Sequence, residues 1–380
     1  MWVPEYLAKD LVSKHGISIP KGIVVSSRDV SFEKIVSLSY PVVIKIQIPS
    51  TNRSKIGGIK IARTPQEAFQ IIDTMNKSKF GEYTVDRLLI EEWIEHKDEI
   101  YLGLYVDRDN ASIKLIASRY GGSGIEEIPQ EGIILIDINP LIGLQRYMFR
   151  KLHMRLNLDE NMTEKLDLII KILYDLFVKL DLLLLEINPL AVTSDGSLIA
   201  LDIKMIADDY SIFRQNMLKN IERVDLLPFE RKMQELGITG SIIDKEGNIA
   251  VIASGAGCLM STVDTLKMMA GKVLLAVDLG GSVFSEKIET LISEILSEVV
   301  KYDPKVILIN AFFNMARCDV LAKAVKNNVA KVRGTPIVIR LKGRYDREAR
   351  EILSSVYNVY YTDSFDKACE IAVEIARSKV

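Results

Sequence analysis

Residues 181–204 read Asp181-Leu182-Leu183-Leu184-Leu185-Glu186-Ile187-Asn188-Pro189-Leu190-Ala191-Val192-Thr193-Ser194-Asp195-Gly196-Ser197-Leu198-Ile199-Ala200-Leu201-Asp202-Ile203-Lys204. Two apolar runs flank an Asp-Gly turn, which is the pattern of a β-hairpin. Asn188 lies seven residues before Asp195 and Asp202 seven after it, so pairing of the arms brings the two close to opposite one another. Each run therefore ends in an oxygen-bearing side chain where an apolar one is expected. An amide carbonyl and carboxylates on neighbouring strands suit Mg²⁺, which takes hard oxygen ligands, usually only one or two of them protein carboxylates, and leaves the rest to phosphate and water. The plainer alternative is a buried hairpin whose polar residues cap its strand ends.

Working outward, 380 residues suggest two or three domains. Lys and Arg number 49 against 51 Asp and Glu, a balance without the basic excess of a dedicated nucleic-acid binder. No apolar run reaches the roughly 18 residues of a membrane span. Met1-Trp2-Val3-Pro4-Glu5 lacks the basic and apolar regions of a signal peptide, so a cytoplasmic location is expected. Cys258, Cys318 and Cys369 are too few and too scattered for a disulfide framework or a zinc site. His15, His96 and His153 are the only histidines, which limits acid–base chemistry within this chain.

Upstream of the hairpin, Pro4 to Lys14 predicts a helix, with Leu7 and Leu11 four apart and Gly16 beyond its end. Pro41 to Gln47 predicts a strand with Val42, Ile44 and Ile46 on one face and Val43, Lys45 and Gln47 on the other. An ammonium within a β-branched run is costly to bury alone. Lys45 is either a phosphate-contacting residue in a cleft or a side chain turned to water from an edge strand. Thr64-Pro65-Gln66-Glu67 is a capping box opening a helix to about residue 77. Leu88 to Glu92 and Glu99 to Val106 predict two more strands, each with a Glu near an end. Asn161 to Leu180 carries Leu166, Ile169, Ile170, Leu173 and Phe177 on one helical stripe, which is core.

A charged segment from Glu230 to Gly240 predicts the connection between domains. Beyond it, Ile249 to Ser254, Val273 to Asp278, Val306 to Asn310, Pro336 to Leu341 and Asn358 to Tyr361 are apolar runs alternating with helical stretches. That alternation predicts a parallel sheet with helices on both faces, whose ligands meet the carboxyl ends of the strands. Ser254-Gly255-Ala256-Gly257, Asp278-Leu279-Gly280-Gly281-Ser282 and Asn310 to Asp319 each predict a strand leading straight into a helix, whose free N–H groups attract anions. Gly255 and Gly257 with Asp278 are also a partial dinucleotide fingerprint, but Met260 stands where its third Gly or Ala belongs.

Glu186-Ile187-Asn188-Pro189-Leu190, then Leu201-Asp202-Ile203-Lys204, then Ala207-Asp208-Asp209 and Phe213-Arg214, resemble in order and spacing the signature of the β subunit of succinyl-CoA synthetase (succinate–CoA ligase). The three strand-end segments of the C-terminal part resemble that family too, and the likeness covers nearly the whole chain. It implies an α/β and α+β chain: an ATP-grasp nucleotide-binding domain over residues 1–235 and a flavodoxin-like CoA-ligase domain over 236–380. It implies Mg²⁺ on Asn188 and Asp202, ATP or ADP at Lys45, Asn52, Arg53, Ser54, Glu91, Ile94 and Glu99, and the acid at Ser254, Asn314, Met315 and Ala316. Glu91 would face the adenine. The implied partner is an α subunit carrying the CoA site and a phosphohistidine, and the implied substrate succinate or a related acid.

The chain also departs from the family's pattern. Thr51, Asn52 and Ser54 stand at glycine positions of a phosphate loop, and Tyr120 and Tyr210 replace a Glu and an Asn. Ser254 replaces an Asn, and Phe313 to Ala316 replace Gly-Gly-Ile-Val, where the Phe would crowd a small carboxylate site. These changes carry a second reading, a catalytically impaired β-like subunit that serves an α subunit as a binding or scaffolding partner.

Overall fold

The hairpin forms, but its second arm is interrupted. In the computed structural model, which describes residues 1–26, 32–50, 53–76, 78–80, 83–122, 132–158, 160–280 and 287–378, the arm Leu182–Val192 pairs antiparallel with Leu198–Ala200 and then with Ile203–Ala207. Leu201 and Asp202 lie between those two segments. The turn closes with Gly196 at φ +75°, a backbone state that favours glycine, and with Asp195 Oδ1 accepting from Ser197 N at 3.1 Å.

The chain divides into two units, Met1–Asp225 and Leu226–Val380. The division falls after Asp225, not after residue 235. The charged segment that reads as a connection is largely a helix, Pro228–Glu235, whose Phe229 and Met233 are buried in the C-terminal core.

In chain order the first unit contains β1 (Trp2–Val3), α1 (Glu5–Lys14), β2 (Gly22–Ser26), α2 (Phe32–Val36), β3 (Val42–Ile46), β4 (Ile59–Ala62), α3 (Pro65–Met75), β5 (Lys79–Phe80), β6 (Tyr83–Thr84), β7 (Arg87–Glu92), β8 (Asp98–Asp107), β9 (Ser112–Ser118), β10 (Ile134–Ile138), α4 (Arg146–Leu156), α5 (Glu160–Lys179), β11 (Leu182–Val192), β12 (Leu198–Ala200) and β13 (Ile203–Ala207). Two larger sheets organise it. One runs β1-β13-β11-β8-β9-β10 with β12 also on β11; the other runs β2-β7-β3-β4. Their pairings are antiparallel throughout. The apolar stripe of α5 packs into the core of the first sheet through Leu166, Ile169, Ile170, Leu173 and Phe177. Thr64 caps α3, its Oγ1 accepting from Glu67 N at 3.2 Å. β3 lies between β7 and β4, so Lys45 does not stand on an edge strand.

The second unit contains α6 (Pro228–Glu235), β14 (Thr239–Ile242), β15 (Ile249–Ala253), α7 (Ala256–Met268), β16 (Val273–Asp278), α8 (Ile288–Val299), β17 (Val306–Phe313), α9 (Cys318–Asn328), β18 (Ile337–Gly343), α10 (Asp346–Ser354), β19 (Val359–Tyr361) and α11 (Phe365–Ser378). Its parallel strands run β16-β15-β17-β18-β19, the second-first-third order of a flavodoxin-like sheet. β14 adds an antiparallel edge on β16. Thr239-Gly240-Ser241-Ile242 has no apolar run to announce it.

β17 continues past Asn310 to Phe313, so the third strand end does not lead straight into a helix; α9 starts at Cys318. Strand alternation then decides the two phenylalanines. Phe313 shares the inward face of Ile307, Ile309 and Ala311 and is buried in the core, while Phe312 is 60% exposed. Phe313 therefore does not crowd the strand-end surface. Opposite its carbonyl, Gly343 sits at φ +125°, where a Cβ would lie 1.9 Å from Phe313 O. Gly343→Ala should destabilise the protein by about 2–3 kcal/mol, read as a lowered thermal unfolding midpoint.

Candidate functional site

Wholly within the first unit lies a cleft of about 880 Å³. Its lining includes Lys45, Arg53, Ser54, Glu91, Ile94, Glu99, Asn188 and Asp202. Eight residues nominated from sequence thus converge on one cavity. Asn52, together with Thr51, lies outside the described residues.

A cluster of six charges underlies the cleft, five of them lining it and the sixth, Lys9, behind them. Lys45 comes from β3, Glu91 from β7 beside it, Arg53 from the following loop, and Asp202 from the interruption in the hairpin. The other two, Glu5 and Lys9, come from α1. Lys45 Nζ is 2.9 Å from Glu5 Oε1, 3.0 Å from Glu91 Oε2, and donates to Leu201 O at 2.5 Å. Arg53 donates through Nη1 to Glu5 Oε2 at 2.6 Å, and through Nη2 to both oxygens of Asp202 at 2.8 Å. Lys9 Nζ donates to both oxygens of Glu91, at 2.7 and 2.6 Å, and to Leu201 O at 2.7 Å.

Five of the six residues are buried; the Asp202 side chain alone is about a third exposed. Burial alone would raise the Glu5 carboxyl, but Lys45, Arg53 and Lys9 hold it well below the usual carboxylate range. Burial opposes the charge of Lys45 too, and is overcome by Glu5 and Glu91, so its ammonium titrates above the ordinary lysine value. The Glu91 side chain sits at 2% exposure with both oxygens on Lys9. Its carboxylate holds two ammonium groups, those of Lys9 and Lys45.

Asn188 and Asp202 are neighbours, with Asn188 N donating to Asp202 O at 3.1 Å. Asn188 Oδ1 accepts from Gly122 N at 2.6 Å. Among the described residues no group of three or more His, Cys, Asp or Glu side chains is placed to hold a metal. One carboxylate and one amide oxygen side by side still fit Mg²⁺, which keeps water and phosphate for its remaining positions.

At the other end of the cleft Glu99, the second residue of β8, is paired with His96. His96 Nε2 is 2.8 Å from Glu99 Oε1, and Nδ1 is 2.9 Å from Ile94 O. Both ring nitrogens face acceptors, an arrangement only the imidazolium satisfies. Burial lowers the His96 pKa, but the Ile94 carbonyl and the Glu99 carboxylate outweigh it and raise it above 6.5.

The remaining nominated residues are in the second unit. Ser254 follows β15, and its Oγ accepts from Phe312 N at 3.2 Å. Asn314 and Met315 are exposed in the turn after β17, Ala316 is buried, and Met315 O accepts from Arg344 Nη1 at 3.3 Å. Gly255 N and Gly280 N both donate to Asp278 Oδ1, at 2.7 and 2.8 Å, which ties two of the strand-end loops together. Gly281 and Ser282 lie outside the described residues.

The ATP-grasp domain family matches residues 3–192. Over 384 residues the chain is 35% identical to succinate–CoA ligase [ADP-forming] subunit beta 2 of Archaeoglobus fulgidus, covering 99% of each. The chain belongs to the β-subunit family of ADP-forming succinate–CoA ligases. Further members, from Desulfotalea psychrophila and Ignicoccus hospitalis, are 35% and 31% identical, each covering 98% of this chain and 99% of its own length. An ATP citrate lyase from Methanothrix soehngenii, solved with citrate and coenzyme A, has a TM-score of 0.76 at 17% identity, covering 98% of this chain and 99% of that one, a likeness of fold. The family's ATP-grasp domain accounts for the cleft lying in the first unit.

Three parts of the site escape the motif reading of this family. Glu5 and Lys9 share a helical face with buried Ala8 and Val12, and two charges on an apolar stripe were the available signal. His96 is legible only once Glu99 is known to sit three residues on. Trp2 and Trp93 also line the cleft, with nothing in their spacing to say so.

The stability that charged His96 contributes should be complete below its unfolded value near 6.5 and be lost as pH rises through its raised folded value. An NMR titration of the His96 ring should give a midpoint above 6.5, and Glu99→Gln should bring it down. A midpoint unmoved by that substitution would contradict the pairing.

Proposed function

We propose that this chain is the nucleotide-binding β subunit of an ADP-forming acid–CoA ligase. Together with an α subunit that carries the CoA site and a phosphohistidine, it couples ATP and an acid, succinate or a related one, to acyl-CoA, ADP and phosphate. The observation that carries this reading is the convergence of Lys45, Arg53, Glu99, Asn188 and Asp202 on one cleft.

Lys45 and Arg53 face the phosphates. Phosphoryl transfer spreads charge over the equatorial oxygens, and fixed cationic donors are what stabilise it. Asn188 Oδ1 and Asp202 would hold Mg²⁺, which when bound neutralises phosphate charge as a Lewis acid. Ser54, which lines the cleft, would contact the phosphates, and Asn52 is assigned to them by its place in the sequence. Ile94 and Glu99, with His96 braced against both, belong to the base and ribose end. In the second unit Ser254 and the turn Asn314 to Ala316 take the acid.

The histidine that carries phosphate is the partner's. In this chain His96 and His153 each pair with a carboxylate, Glu99 and Asp167, and His15 Nδ1 lies 2.8 Å from Leu11 O. Free Cys258, Cys318 and Cys369 suit a reducing cytoplasm. Among the described residues no helix is long and apolar enough to cross a membrane.

Calorimetric titration of Mg²⁺-ADP and Mg²⁺-ATP into the purified chain, with and without Mg²⁺, tests the reading. Binding should depend on Mg²⁺, and Asp202→Asn should weaken it about tenfold or more, as loss of a charge-assisted ligand does. The same substitution should abolish acid-dependent ADP formation once an α subunit is added. A folded chain that binds neither nucleotide would instead be a subunit retained as a partner.

A further inference from the structure

The ion pairs on the floor of the cleft pose a problem for any phosphate that enters it. Both cations that would meet the phosphate are already engaged, and so is the carboxylate that would meet a metal. Lys45 Nζ has three acceptors, Glu5, Glu91 and Leu201 O, all within 3.0 Å. Arg53 closes a two-pronged contact on Asp202. A ligand must therefore exchange partners with groups that are nearly all buried, where an abandoned charge is expensive.

We propose that Glu5 and Lys9 of α1 are positioning residues of the nucleotide cleft. They let Lys45 and Arg53 change partners for a metal-bound phosphate without leaving any charge unpaired. The inference rests on the nucleotide-binding reading above.

Each half of the exchange follows from distances already given. The two amino groups of Arg53 have separate partners, Glu5 and the Ile46 carbonyl on Nη1 and Asp202 on Nη2. When Asp202 turns to a metal, Nη2 is released toward a phosphate oxygen, while Glu5 keeps the guanidinium in place through Nη1. Glu91 is shared by two ammonium groups, and Lys9 binds both of its oxygens. When Lys45 turns from Glu91 to phosphate, Glu91 stays fully paired with Lys9.

The α1 pair thereby supplies reserve partners of both signs. Glu5 and Lys9 are one turn apart, 3.0 Å from carboxylate to ammonium, and almost wholly buried. The cluster holds three cations and three anions, so removing Glu5 and Lys9 together leaves two of each. A role confined to stability would tolerate that neutral removal in the binding assay.

The experiment uses the full chain and Mg²⁺-ADP as probe. Trp2 and Trp93, the only two tryptophans, both line the cleft and report binding through their fluorescence. Lys9→Met leaves Glu91 dependent on Lys45 and should weaken Mg²⁺-ADP at least about tenfold, the scale of one charge-assisted contact. Adding Glu91→Gln frees Lys45 again, and Lys9→Met with Glu91→Gln should recover most of the loss. The neutral pair Glu5→Gln with Lys9→Met should bind at least about tenfold more weakly than the unaltered chain, because Arg53 then keeps only the neutral Ile46 carbonyl, 3.2 Å from Nη1, as a second anchor. That pair also serves if Lys9→Met alone fails to fold.

Wild-type affinity in a folded Lys9→Met or in the neutral pair would overturn the inference, as would failure of Glu91→Gln to restore binding. An unaltered chain that does not bind Mg²⁺-ADP would overturn the nucleotide reading itself, and this inference with it.

Discussion

Six charges meet at and behind the floor of one cleft, and none can be withdrawn alone. Breaking a buried ion pair from one side commonly costs about 3–5 kcal/mol, because the remaining charge stays out of water. Here each charge has at least two partners, or two contacts to one partner. The cluster joins α1, β3, β7, the loop at Arg53 and the interrupted arm of the hairpin. It thereby ties the four-stranded sheet to the seven-stranded one within the N-terminal unit. The positions of Lys45, Arg53 and Asp202 are set less by their own backbones than by this mutual pairing.

The same pairing explains how a strand of Val42-Val43-Ile44-Lys45-Ile46 can be interior. Lys45 is 7% exposed in a strand flanked on both sides, which would be untenable for a lone ammonium. Glu5 and Glu91 make it tenable. In the second unit a comparable economy of position separates Phe312 from Phe313. One residue of alternation sends the first to the surface and the second into the core.

How much could be read beforehand depended on whether the signal was local. The hairpin, the capping box at Thr64, the stripe of α5 and the five parallel strands rest on periodicity and turn chemistry within a few residues, and all were legible. Asn188 and Asp202 were legible because a turn of known length fixes what lies opposite what. Glu91 is legible as a cleft residue, but the pairing of its side chain is not, since its partner Lys9 is 82 residues away. β14 was missed because an edge strand of four residues with a Gly and two hydroxyl residues has no apolar pattern. The extension of β17 was missed because Asn310 looked like a strand end, whereas it is buried and donates through Nδ2 to Thr262 Oγ1 at 2.8 Å.

Leu201 deserves a different kind of reading from its neighbours. Its carbonyl oxygen takes both the Lys9 and the Lys45 ammonium groups, at 2.7 and 2.5 Å. Every amino acid presents that same oxygen. The residue at 201 could therefore drift among side chains of similar fit while the electrostatic anchor persisted unchanged. A decisive contact of this cleft is written in the main chain, where neither side-chain substitution nor a comparison of residue identities can register it.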